Sequence, residues 1–133
     1  MGYKLQTYLD EGYDHFISGM AQGIDLIFAE TVIQFKEHYD LNIKLECALP
    51  CRNQTDKWNN NDIQRYNAIL AKADIITVIS EVYNEKCMME RNIYMVDHSN
   101  TVLGFWNGEK HSGTWNTIRY AELMNKDIDI VRI

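Results

Sequence analysis

Asp14-His15-Phe16-Ile17-Ser18-Gly19-Met20-Ala21-Gln22-Gly23-Ile24-Asp25 decides the reading of this chain. An apolar run from Asp14 to Ser18 has the length and character of a short strand. It breaks at Gly19, passes a small-residue loop and resumes after Gly23 with apolar residues at helical spacing. Ile24, Ile27, Phe28 and Phe35 share that spacing over Gly23 to Tyr39. Strand, glycine loop, helix is the opening of a βα unit.

The same alternation recurs along the rest of the chain. Asn42 to Leu49, Asp74 to Ser80, Thr101 to Trp106 and Asp127 to Ile133 read as further strands. Ile75-Ile76-Thr77-Val78-Ile79 is nearly continuous and β-branched, the pattern of a parallel strand buried on both faces. Helical patterns lie at Lys4 to Glu11, Asp62 to Ala73, Glu85 to His98 and Ser112 to Asn125. The expected architecture is one Rossmann-like α/β domain over residues 1–133. It is a three-layer sandwich on a mostly parallel sheet of about five strands, joined by right-handed crossovers.

The 133 residues suit one domain, and a 46% hydrophobic fraction suits one core. The start, Met1-Gly2-Tyr3-Lys4, has no apolar leader-like run, and no stretch of about 18 apolar residues is present. A cytoplasmic protein without membrane contact is expected. Cys47, Cys51 and Cys87 form no Cys-x-x-Cys pair and read as reduced thiols. No His-x-x-x-His, Gly-x-Ser-x-Gly, Walker or Gly-x-Gly-x-x-Gly pattern occurs, so neither a metal nor a cofactor is expected. A formal charge of −6 with scattered Lys and Arg argues against a nonspecific nucleic-acid binder.

Two loops carry the chemistry. Ser18 to Asp25 offers close backbone approach at Gly19 and Gly23, followed by the unpaired N–H groups and positive dipole end of a helix. It reads equally as an anion site or a plain βα turn. Gly108 to Thr114 has the same position after the Thr101 to Trp106 strand, with Ser112 or Thr114 able to cap the next helix or meet a phosphate. Two such loops opening on one sheet edge favour a ligand there. Arg91 and Asn92 are polar in an apolar helix. Arg91 could hold a phosphate in bidentate fashion or pair with Glu90, Asp97 or a neighbouring carboxylate. Asp25 could contact a ribose hydroxyl, although a helix cap is the favoured role. Trp58 could shield one side of a ligand or plug the core edge, the second being the favoured role.

Phe16-Ile17-Ser18-Gly19-Met20-Ala21-Gln22-Gly23-Ile24-Asp25 resembles the Ser-Gly-x-Ala-x-Gly-Ile-Asp motif of the SMF/DprA–LOG (SLOG) superfamily. Gln54, Trp58, Arg65-Tyr66, Ala73-Asp74, Arg91-Asn92, Val96-Asp97, Ser99 and Gly113-Thr114 extend the likeness to the YpsA-like branch. The resemblance implies a Rossmann-like fold binding a nucleotide or nucleotide-derived small molecule. Its ligand-binding residues would be Ser18, Gly19, Gly23, Asp25, Arg91, Asn92, Gly113 and Thr114. In LOG-type phosphoribohydrolases, the alternative reading, Arg91 would take the place of the catalytic arginine. Thr117 stands where their Gly-Thr-x-x-Glu carries its glutamate, which removes the carboxylate that such chemistry uses. A DprA-like single-stranded-DNA module is the second alternative, opposed by the charge.

The resemblance also implies an N-terminal strand ending in Gly-His-Arg, which nothing here matches. By this reading the chain is truncated relative to the family. The strand would lie between the Phe16 and Ile75 strands. The gap is expected either to close, by pairing those two strands, or to be filled by a second copy. A homo-oligomer is the expected outcome.

Overall fold

A computed structural model describes residues 1–133. Ten elements alternate along the chain: α1 (Gly2–Asp10), β1 (His15–Ser18), α2 (Ile24–His38), β2 (Lys44–Cys51), α3 (Asn60–Lys72), β3 (Ile75–Ser80), α4 (Cys87–Asp97), β4 (Thr101–Trp106), α5 (Gly113–Leu123) and β5 (Asp127–Arg132). Every strand pairing is parallel. The fold is the expected α/β arrangement. Its five strands form two sheets, β1-β2-β3 and β4-β5, rather than one.

Chain direction places the helices. The crossovers through α2 and α3 step outward from β1 to β2 to β3, and α2 packs on β1 and β2 with α1 and α3 beside it. The crossover through α4 turns back from β3 to reach β4. With right-handed connections it must lie on the opposite face. There α4 packs on β2 and β3 and touches α5, which covers β4 and β5.

The core lies in the first sheet. A cluster of thirteen buried residues joins α1, α2 and α3 to β1 and β2, with Phe16, Leu26, Leu45, Leu49 and Ile69 among its members. The strand buried along nearly all its length is β2, from Leu45 to Cys51. This corrects the reading of Ile75–Ile79. β3 is the outer strand, and Ile75 and Ile76 are 36% and 47% exposed. Helices cover strand faces, but only a neighbouring strand covers an edge, and β3 has one neighbour.

The location of the gap is a second correction. The Phe16 and Ile75 strands are neither paired nor adjacent, because β2 lies between them in register with both. The open edge of β1 instead faces β4. Elements on both faces span the space between the two sheets. From α1, Lys4 Nζ reaches Asp129 at 2.9 Å and the Tyr8 hydroxyl donates to the same carboxylate at 2.5 Å. Tyr13 hydrogen-bonds Thr101. On the other face the packing of α4 against α5 bridges the two halves.

Candidate functional site at the sheet switch point

The direction of winding reverses between β1 and β4. At such a point the loops leaving the two strands diverge to opposite faces, and the strand ends frame a crevice. A cavity of about 1110 Å³ occupies it. Gly19 and Asp25 from the first loop, Arg91 and Asn92 from α4, and Gly113 and Thr114 from the second loop all line it. Both glycine loops therefore open on one edge, as their position after parallel strands requires.

The first loop is held from below and free above. Ser18 Oγ donates to the Asp25 carbonyl at 2.9 Å and accepts from the Met20 N–H at 3.2 Å. Its hydroxyl is thus committed to shaping the loop. Met20 adopts φ 60°, and Gln54 Nε2 donates to its carbonyl at 3.3 Å. Gly23 sits at φ 85°, ψ −123° at the start of α2, a conformation that favours glycine. No side chain caps this helix. No side chain takes the N–H groups at its start, and Ile24 and Asp25 of the first turn line the cavity at the positive end of a fifteen-residue helix.

The second loop differs. Ser112 Oγ accepts from the Trp115 N–H at 3.1 Å, so α5 carries its own cap. Ser112 takes the capping role and Thr114 does not. Thr117, at the position of the LOG-type glutamate, lines the cavity and donates to the Gly113 carbonyl at 2.9 Å.

Arg91 joins the two regions. It is 5% exposed, donates through Nη1 to the Gly19 carbonyl and through Nε to Asn92 Oδ1 at 2.8 Å. A Cβ on Gly19 would lie 3.0 Å from both Arg91 Nη1 and Asp25 Oδ2. The room beside Gly19 is thus filled by a guanidinium and a carboxylate. Asp25 is the neighbouring carboxylate of Arg91. Glu90 is exposed, and Asp97 accepts from Tyr120 at 2.7 Å. Asp25 Oδ2 also reaches back over the helix start to accept from the Ala21 N–H at 3.2 Å. Burial pushes its carboxyl above the usual carboxylate range, while the Ala21 N–H and the Arg91 charge oppose that rise. Burial likewise pushes Arg91 down from the usual guanidinium value.

Seven of the eight candidate residues line the cavity; Gly23 does not, and instead turns the chain at the start of α2. Gly113 and Thr114 line the cavity, Ser18 and Asp25 brace the first loop, and Arg91 spends two donors on the protein. The sequence did not single out Gln54 or Thr117 as part of this assembly for a contact reason. Gln54 acts through a contact that only the fold creates, whereas Thr117 bonds four residues back within its own helix. Trp58 packs edge-on against Tyr66 at 5.4 Å between ring centroids, in the core role expected of it.

No helix is long and apolar enough to cross a membrane. Comparison with known proteins returns the YpsA family model, described as the YspA SLOG family, over residues 1–132. A UPF0398 protein of Macrococcus caseolyticus (strain JCSC5402) is 28% identical over 136 residues, covering 98% of this chain and 73% of the relative. The UPF0398 protein SaurJH9_1506 of Staphylococcus aureus (strain JH9) is 27% identical over 112 residues, covering 83% of this chain and 59% of the relative. The chain therefore spans between about three fifths and three quarters of the length of these relatives. With the family model matching nearly end to end, and the Ser18–Asp25 loop and Arg91 meeting at the switch point, the chain belongs to the YpsA family of SLOG proteins.

Proposed function

We propose that the mouth of the switch-point cavity binds a nucleotide or nucleotide-derived small molecule. The observation that carries this reading is the uncapped start of α2 opening into a cavity that also holds Arg91, Gly113 and Thr114. A phosphate fits the free N–H groups of that first turn. The Gly113 N–H and the Thr114 hydroxyl lie across the cavity to meet a second polar group of the ligand. Asn92 has its amide nitrogen for a base or ribose, its Oδ1 being taken by Arg91. In this arrangement Arg91 supplies field and loop support rather than a full bidentate grip.

Calorimetry against adenosine and guanosine mono- and diphosphates and NAD tests the proposal. Binding of at least one, weakened by Gly23→Ala and by Thr114→Val, is the expected outcome. Gly23→Ala strains the loop without filling space, because nothing lies within 4 Å of its would-be Cβ. Failure of every nucleotide to bind would overturn the reading. Self-association is proposed alongside it, on the unpaired outer edge of β3 with exposed Ile75 and Ile76. Light scattering at micromolar concentration should report a dimer that Ile76→Lys abolishes. A monomer of the unmodified protein would remove that part.

A further inference from the structure

Three buried thiols take no part in the nucleotide reading. Cys51 is the last residue of β2 and Cys87 the first of α4, and both are fully enclosed. The packing of α4 on β2 brings their side chains together at the carboxyl edge of the sheet. The Cys51 thiol lies close enough to that of Cys87 to share a hydrogen bond and to feel its charge. The Arg91 guanidinium is within electrostatic reach of both sulfurs. No third His, Cys, Asp or Glu completes a metal-binding group with them.

The two thiols are not equivalent. Cys87 opens a helix of eleven residues, and Arg91 follows one turn later. A helix start and a guanidinium both favour an anion beside them. Burial, and then the neighbouring Cys87, pushes the Cys51 thiol up. Cys47, four residues back along β2, is pushed up to about 12 by burial and then by Glu46, as suits an inert core thiol. Access to the pair comes through the start of α4. Residues 81–86 before it are exposed, and no side chain caps the helix. The Cys87 N–H donates to the Asn84 carbonyl at 3.4 Å, and the Cys87 thiol donates to the same oxygen at 3.2 Å. A helix start held so lightly opens locally at low cost.

We propose that Cys51 and Cys87 form a reversible oxidation site, which takes a hydroperoxide and records it as a disulfide between β2 and α4. The Cys87 sulfur attacks the O–O bond and keeps one oxygen as a sulfenic acid. The other oxygen leaves with the Cys87 proton, as water or an alcohol. The Cys51 sulfur then attacks the Cys87 sulfur, the S–S bond forms, and the sulfenic oxygen leaves as water with the Cys51 proton. Each sulfur gives up one electron, and the hydroperoxide takes both. A dithiol reductant reverses the change. The bond draws the first turn of α4 onto the end of β2. Arg91 stands one turn along the same helix and donates to the Gly19 carbonyl, so the shift reaches the first loop.

The test treats the full chain with dilute hydrogen peroxide, blocks the remaining thiols with N-ethylmaleimide in denaturant and maps the peptides. Expected is one disulfide joining Cys51 to Cys87, with Cys47 alkylated, and its loss on adding dithiothreitol. In a Cys51→Ser variant the same treatment should leave Cys87 as a sulfenic acid that dimedone traps. Hydrogen exchange in the oxidised protein should run about tenfold faster at Met20 and Ala21, whose amides are bonded within the first loop. Both readouts are taken without nucleotide and hold whether or not one binds. Alkylation of all three cysteines, at peroxide that fully oxidises free cysteine, would overturn the site. So would a disulfide to Cys47 or between two chains in its place. A Cys51–Cys87 disulfide with unchanged exchange at Met20 and Ala21 would overturn its link to the loop.

Discussion

The two half-sheets are built unequally. The β1-β2-β3 half holds the thirteen-residue core cluster, and its central strand is buried from Leu45 to Cys51. The β4-β5 half has one fully buried strand position, Gly104, which packs on Ile118, and β5 has only exposed and half-buried residues. The smaller half borrows its stability. It is held by the Lys4–Asp129 and Tyr8–Asp129 contacts, by Tyr13 on Thr101, and by α5 against α4. A two-stranded unit is marginal alone, whereas three strands with a covered face can stand independently. The larger half carries its own core, and the smaller docks onto its helices.

The largest effect is expected where the halves meet the site. Arg91→Met leaves Asp25 enclosed without its counter-charge and releases the Gly19 carbonyl, at a cost of about 3–5 kcal/mol. Arg91→Met combined with Asp25→Leu should recover much of that loss. Urea unfolding of the single and double variants measures both. Additive losses would show that the two groups do not act as a pair.

Core truncation comes next and probes the inequality directly. Leu45→Ala, at a position 1% exposed, should cost about 2–5 kcal/mol and lower protection in both halves together. Ile118→Ala, equally buried, should cost less, because α5 borders the cavity and can relax into it. Hydrogen exchange should then show β4 and β5 amides speeding up while β2 amides stay slow. Equal loss in both halves would mean that the domain melts as one unit.

A smaller effect concerns the strap from α1. The Tyr8 hydroxyl and then Lys4 hold the Asp129 carboxyl below the usual carboxylate range. A depressed folded value contributes stability above the unfolded pKa, and that contribution is lost as pH falls through the folded value. Asp129→Asn should therefore cost about 1 kcal/mol at pH 7. Its deficit against the unmodified protein should shrink as pH drops below about 4. Melting curves from pH 7 to pH 3 check the sign, and a deficit that grows in acid would contradict it. Smallest is Ser112→Ala, which removes the cap of α5 at about 1 kcal/mol or less. It should loosen only the smaller half, as read by exchange at Trp115 and Asn116.

Much of the architecture was legible because it is local. The period of 3.6 over Gly23 to Tyr39, the short apolar runs and the glycine loops after them each report on a few consecutive residues. These signals placed all ten elements close to their observed limits and put both loops on one edge. Which carboxylate lies beside Arg91 was not legible. Asp25 lies 66 positions away, and only the docking of α4 under the first loop brings the two together. Glu90 and Asp97 are nearer in sequence but point elsewhere.

What the sequence determined by itself was the order and kind of its elements, the parallel character of their pairing and the existence of two loops able to approach a ligand. These follow from side-chain periodicity and from the conformational freedom of glycine, which need no distant partner. Tertiary structure alone decided the strand order, and with it that β2 is central, that β3 is an edge and that the gap falls between β1 and β4. Strand order depends on which faces and edges bury best together, a property of the whole assembly. It also decided which cap is free. α2 opens uncapped into the cavity while Ser112 closes α5, because a helix start is a binding site only where no side chain has already taken its N–H groups.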